Sequence, residues 1–410
     1  MATFVLNYMN RFVCLGGVCP DICCRDWPVH LSRQDLDILL AAVRQDEAGR
    51  GDILGHILVD AMAEHRQFTG RIRWNEANEC PFLDGQRLCD LYKRLGGIAQ
   101  PAVCSLFPRS FVKWGERLEL SGAMSCPEVV RLLLDSDDPL IWQARPDITH
   151  HPRMPPQDPC GGREQSPWCQ QAMRVRNMLC HFITQTTYPL ASRLFFCGLF
   201  AQQTFPDFVS DGSSPAAENQ LQQALQQLGD ASIPAILHQH WSSIPVSLPL
   251  AQAIIDAIAD YGAGSGEINN PFFGRLIQEV MTGYGSTHAA AIHETMSLRL
   301  YALTPASRQW LDQSFDRFAH HFLLQESILH YRDVPSYVRR LVVAVMVCRF
   351  LFFGMLGQVE STLSQEEQLI KVRQTLMTVF FRFSKSFSHY RLDLSQLDDL
   401  PKLLMFLRLW

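Results

Sequence analysis

Residues 14–27 read CLGGVCPDICCRDW, with four cysteines inside eleven residues and two of them adjacent. Cys80, Cys89, Cys104 and Cys126 follow, so the first third of the chain carries eight thiols. What a thiol does depends on its compartment. The N-terminal MATFVLNYMNRF has no basic residue ahead of a long apolar run and no small-residue cleavage site, so it does not read as a signal peptide. A cytoplasmic location is therefore expected, and clustered thiols in a reducing cytosol bind metal more often than they pair as disulfides.

Thiolates are soft ligands, and a loop carrying several can wrap a zinc ion or an iron–sulfur cluster. Gly16 and Gly17 let the chain turn tightly enough for the sulfurs around them to converge. The candidate metal ligands are Cys14, Cys19, Cys23, Cys24, Cys80, Cys89, Cys104 and Cys126. Successive side chains tend to diverge and adjacent cysteines rarely both bind one metal, so one of Cys23 and Cys24 is expected to be a packing residue. Eight thiols allow two four-thiolate sites, or one site with spare thiols, or a purely stabilising zinc module.

The rest of the composition is that of an ordinary globular chain: 410 residues, 47% hydrophobic and 19% charged, with a formal net charge of -5. No long Lys/Arg stripe is present, which argues against nucleic acid as a partner. Residues 31–46 predict a helix capped by Ser32, with Asp35 three residues on and Leu36, Leu39, Leu40 and Val43 on one face. FVKWGERLEL predicts a small hairpin about Gly115, and Pro127 predicts the first turn of another helix. The Pro/Gly-rich stretch 143–169 reads as a connector. It separates a cysteine-rich domain with short hairpins, 1–142, from a larger helical domain, 170–410. The fold class expected is mainly α. Helical spacing marks 168–186, 188–204, 217–229, 248–261, 272–283, 307–332, 335–357, 364–387 and 397–409. The strand–helix alternation that builds a parallel sheet is missing.

Three further features invite a function. LVVAVMVCRFLFFGMLG, 341–357, is short for a membrane span and carries Arg349 at its centre, so a buried core helix is expected, with peripheral membrane contact left open. ADYGAGSGE, 259–267, looks like the glycine-rich loop of the common S-adenosylmethionine-binding fold. That loop must follow a strand, and here the preceding residues have helical spacing, which makes the glycines a helix stop. Cys160 and Cys169, near His150 and His151, imitate a mixed zinc site at loose spacing, and Cys180, Cys197 and Cys348 read as core.

RFVCLGGVCPDICCRDW at 11–27, NECPFLDGQRLCDLYKRLG at 78–96, VCSLFPRSF at 103–111 and LSGAMSCPEVVRLLL at 120–134 together resemble the flagellin lysine-N-methylase family, over about the first third of the chain. The resemblance implies a cytoplasmic enzyme that moves a methyl group from S-adenosylmethionine to lysine ε-amines of flagellin, with an oxygen-sensitive [4Fe–4S] cluster held by the cysteine-rich motif. It designates no catalytic residue and no donor pocket here. The radical S-adenosylmethionine signature Cys-x3-Cys-x2-Cys is broken, because Asp26 stands where its third cysteine would be. A radical mechanism is therefore not supported by that signature. A deprotonated amine can attack a methyl sulfonium without one. The competing class is a non-enzymatic or redox protein that binds zinc or iron through the same cysteines.

Overall fold

The first strand decides how the cysteine-rich third closes. β1 (Ala2–Leu6) lies parallel to β6 (Arg117–Gly122), with Ala2 opposite Arg117 and Val5 opposite Leu120. On its other edge β1 runs antiparallel to β7 (Trp142–Ala144), and β5 (Arg109–Trp114) forms the expected hairpin with β6 about Gly115. The sheet order is β5-β6-β1-β7, a mixed sheet containing one parallel pair that the sequence pattern did not announce. Tyr8 locks this closure, because its buried hydroxyl accepts a 3.0 Å hydrogen bond from the Gly122 N–H.

The structure is a computed structural model. It describes residues 1–25, 27, 29–45, 50–59, 69–136, 138–162, 167–204, 219, 223, 226, 232–262, 271–331, 333–358, 363–389 and 399–407. The chain divides into two compact units, Met1–Leu132 with Ile141–Gln157, and Leu133–Leu140 with Asp158–Trp410. Residues 143–169, expected as a connector, thus hold the end of β7 and contribute to both.

In the first unit a second sheet, ordered β2-β4-β3, joins His30–Leu31, Gly70–Ile72 and Ile57–Val59. α1 (Arg33–Gln45) begins where Ser32 and Asp35 predict it: the Asp35 N–H donates to Ser32 Oγ at 3.1 Å, and the Ser32 N–H donates back to Asp35 Oδ2 at 3.3 Å. Its apolar face, Leu36, Leu39 and Val43, is buried with Val29, Leu31 and Ile72. α2 (Arg50–Gly55), α3 (Asp90–Leu95) and α4 (Ala102–Leu106) are short, and α5 (Pro127–Leu134) starts at the expected proline.

The second unit is helical in its described residues: α6 (Pro167–Ile183), α7 (Leu190–Thr204), α8 (Ser232–Ser243), α9 (Leu248–Gly262), α10 (Pro271–Tyr284), α11 (Ala289–Ala302), α12 (Pro305–Gln325), α13 (Val334–Leu356), α14 (Gln365–His389) and α15 (Leu400–Phe406). α8 and α11 lack a clean amphipathic stripe, which is why their sequences do not declare them. The expected helix at 217–229 lies mostly outside the described residues. α13 is the central helix, buried along most of its length, and the 341–357 stretch is core as its Arg349 suggested. The Arg349 guanidinium lies 5.8 Å from the Phe315 ring centroid and 5.7 Å from that of Phe353. No single described helix is long and apolar enough to cross a membrane; α8 and α9, bent by 90°, pass that test only as a pair.

His320 and His321 on α12 have pKa values pushed down to about 4 and about 3, in both cases mainly by burial. In the unfolded chain they take up protons near pH 6.5, so the stability they contribute is present above that pH and drains as the pH falls toward 4. The urea midpoint should therefore drop on acidification from pH 7 to pH 4.5, and His321→Gln should flatten the drop. An unchanged slope in that variant would remove His321 from the explanation.

Candidate metal-thiol site

All eight sequence-predicted cysteines line one pocket of about 420 Å³ in the first unit. They arrive from four separate segments. Cys14 and Cys19 flank the Gly16–Val18 turn: the Gly16 N–H lies 3.4 Å from Cys14 Sγ, and Cys19 Sγ–H donates to the Asp21 carbonyl at 3.1 Å. The turn needs its glycines. Gly16 has φ +58, and a Cβ on Gly17 would lie 2.2 Å from the Gln86 carbonyl oxygen. Cys23 and Cys24 follow, with the Trp27 indole N–H donating to the Cys23 carbonyl.

Cys80 is tied to this segment by its own N–H, which donates to the Cys24 carbonyl at 2.8 Å beside a bridge between Arg25 and Glu79. Cys89 immediately precedes α3 and bridges back to Leu83. Cys104 sits in α4. Cys126 immediately precedes α5, where the N–H groups of Val129 and Glu128 bond to its sulfur and favour the thiolate.

Burial dominates the electrostatics. It pushes the Cys80 thiol up to about 11 and Cys126 up to about 12, and it raises Cys19 and Cys104. Cys24 is raised first by its hydrogen bond with the Cys23 side chain and then by burial. Neighbouring thiols add to each shift. Several thiolates side by side in an apolar wall therefore require a positive centre among them, and binding one would release protons. None of the thirteen cysteines forms a disulfide. Among the described residues no three His, Cys, Asp or Glu side chains already stand in a metal-holding arrangement. The donor chemistry fits a thiolate-bound metal or cluster: soft ligands, converging on one pocket, with aromatic walls from Phe12, Trp27, Trp74, Phe82 and Phe107.

The other cysteines are not among the residues that line this pocket. Cys160 and Cys169 belong to the second unit and His150 and His151 to the first, where His151 Nε2 is 3.2 Å from Ser105 Oγ. Cys197 and Cys348 are buried core residues.

One residue important to the pocket escaped the sequence reading. Asp35 uses one carboxylate oxygen for the Ser32 cap. The other accepts from Arg153 Nη1 at 2.9 Å and from the Ala102 N–H at 3.0 Å, fixing the start of the helix that carries Cys104. Arg153 in turn donates to the Gln100 carbonyl at 2.7 Å. The acid was legible only as a capping residue, because its ion-pair partner lies 118 positions away.

Relatives match about a third of the chain. A lysine-N-methylase of Salmonella typhimurium and another of Salmonella choleraesuis are each 32% identical to this chain over 132 residues. The chain is similar to lysine-N-methylases. The match takes in 32% of this chain and 32% of each of those lysine-N-methylases, so it spans about a third of their length. A flagellar biosynthetic protein FliU of Salmonella muenchen is 28% identical over 145 residues, 35% of this chain and 83% of that protein. No family model matches the chain, and no solved structure does.

The glycine-rich stretch at 259–267 follows a helix: α9 runs through Leu248–Gly262, while Gly264 and Gly266 lie outside the described residues. Gly264→Ala should leave S-adenosylmethionine affinity within about twofold in equilibrium dialysis, since no strand precedes it to aim the loop at a ligand. A large loss of binding with the fold intact would reinstate that loop as the donor site.

Proposed function

We propose that the chain is a protein-lysine N-methyltransferase that transfers methyl groups from S-adenosylmethionine to flagellin, with a [4Fe–4S] cluster held by pocket thiols. The observation that carries this reading is the convergence of eight cysteines from four segments on one apolar-walled pocket, in a chain similar to lysine-N-methylases. When bound, the cluster supplies a Lewis-acidic iron able to anchor the donor. The protein's own part is to admit a lysine side chain, strip it of water and favour its neutral form. A lysine amine in water has a pKa of about 10.4. Walls of Trp27, Trp74, Phe82 and Phe107 disfavour the ammonium, lower that value and accept the methylene stem of the side chain. The neutral amine then attacks the sulfonium's methyl carbon, the methyl–sulfur bond breaks with S-adenosylhomocysteine leaving as the neutral thioether, and the methylated ammonium gives up a proton.

Incubating anaerobically purified protein with S-adenosylmethionine and flagellin should add increments of one methyl mass on lysines. The rate should rise with pH as the neutral amine fraction grows. No increment from metal-replete protein that binds the donor would exclude flagellin as acceptor. Colourless protein carrying zinc and failing to bind the donor would favour the metal-binding, non-enzymatic class.

A further inference from the structure

The eight thiols of the pocket are not equivalent in their surroundings. Cys80 is part of the buried hydrophobic cluster built around Val29, Leu31, Leu36 and Ile72, and Cys24, Cys89 and Cys104 pack against that same cluster. Cys14, Cys19, Cys23 and Cys126 are outside it. The backbone reinforces the division. The Cys80 N–H reaches the Cys24 carbonyl, the Leu83–Cys89 bridge folds Cys89 back over the same loop, and the Asp90 N–H donates to the Phe82 carbonyl at 2.7 Å. Asp35 and Arg153 fix the start of the Cys104 helix beside them. As thiol neighbours, Cys104 has Cys80, Cys23 and Cys89, Cys24 has Cys23, Cys80 and Cys104, and Cys80 has Cys89 and Cys23. Cys19 has Cys23 and Cys14, and Cys126 has Cys19 and Cys23. Cys23 lies next to both groups, and its exposed position sets it with the second.

We propose that the pocket is two sites: Cys24, Cys80, Cys89 and Cys104 form a closed four-thiol metal site set in the hydrophobic core, and Cys14, Cys19, Cys23 and Cys126 form a second, more exposed four-thiol site. This rests on the reading of the pocket as a metal centre. Cys23 and Cys24, adjacent in the chain and joined by a side-chain hydrogen bond, stand where the two sets meet and supply one ligand to each. The core-set site takes a metal of tetrahedral, all-sulfur preference and serves structure, because four protein thiolates complete a tetrahedral shell. The exposed site is the one where a cluster with a reachable iron belongs. Every ligating thiol releases its proton on binding.

The test is the metal inventory of the full chain, purified anaerobically, by native mass spectrometry with iron, zinc and sulfide analysis. Wild type should carry two centres. Cys19→Ser should lose the exposed centre and keep the other; Cys89→Ser should do the reverse. A single centre in wild type, or loss of both in either variant with unchanged circular dichroism, would overturn the division. Should Cys89→Ser fail to fold, graded chelation of wild type followed by alkylation and peptide mapping replaces it. Cys14, Cys19, Cys23 and Cys126 should become labelled as one group ahead of the other four, and simultaneous labelling of all eight would refute the proposal. Two zinc ions with this same residue division would uphold the two sites while sinking the cluster. One iron–sulfur cluster, with four thiols always open to alkylation, would do the opposite.

Discussion

Asp35→Ala should destabilise the first unit by roughly 3–5 kcal/mol, the range expected when one member of a buried ion pair is removed. Asp35 and Arg153 have side chains only 6% and 7% exposed, and their charged atoms approach to 2.9 Å. Alanine leaves the guanidinium in place without its carboxylate and deprives the Ala102 N–H of its acceptor. Both losses are desolvation penalties with nothing to offset them. Since Ala102 opens the helix holding Cys104, bound metal should fall together with stability. Urea denaturation of the single variants and of Asp35→Ala/Arg153→Met checks the assignment. The double variant should cost less than the sum of the singles, because removing both charges leaves neither one stranded. A single-variant cost under about 1 kcal/mol would show that the pair does not brace the pocket.

Gly17→Ala should displace the first cysteine turn and lower metal content and methyl transfer together. The new methyl group would meet the Gln86 carbonyl oxygen at 2.2 Å, and that oxygen is backbone, so it cannot swing aside as a side chain would. Overpacking of this kind costs about 1–3 kcal/mol where the structure can shift. Here the shift moves Cys14 and Cys19 away from the 85–88 loop. Gly85→Ala is the control: a Cβ there meets nothing within 4 Å, so it should keep wild-type metal content. If Gly17→Ala binds as much metal as Gly85→Ala, the close approach of these two loops has no part in forming the site.

Together these variants separate two ways of assembling the pocket. Asp35 acts from the core side, through the start of α4, and Gly17 acts on the exposed side, through contact between two loops. A metal centre that depended on only one of the two thiol sets would respond unequally to them.

The sequence alone determined the thiol-rich first third, the Ser32–Asp35 cap, the hairpin about Gly115, the helix start at Pro127 and the burial of the 341–357 helix. Each is written in a run of neighbouring residues, where a 3.6-residue stripe, a turn glycine or a first-turn proline states its conformation directly. It also led to the expectation that adjacent Cys23 and Cys24 do not share a metal, whereas the structure joins their side chains by a hydrogen bond. Only the tertiary structure decided which of the other cysteines stands with which. Cys24 joins Cys80 through a main-chain hydrogen bond across more than fifty residues, and β1 pairs in parallel with β6 across more than a hundred. Asp35 finds Arg153 at a similar remove. No local spacing encodes these partners. They are chosen when the chain closes long loops to bury Val29, Leu31 and Ile72 together, and the thiols are carried to their places by that burial.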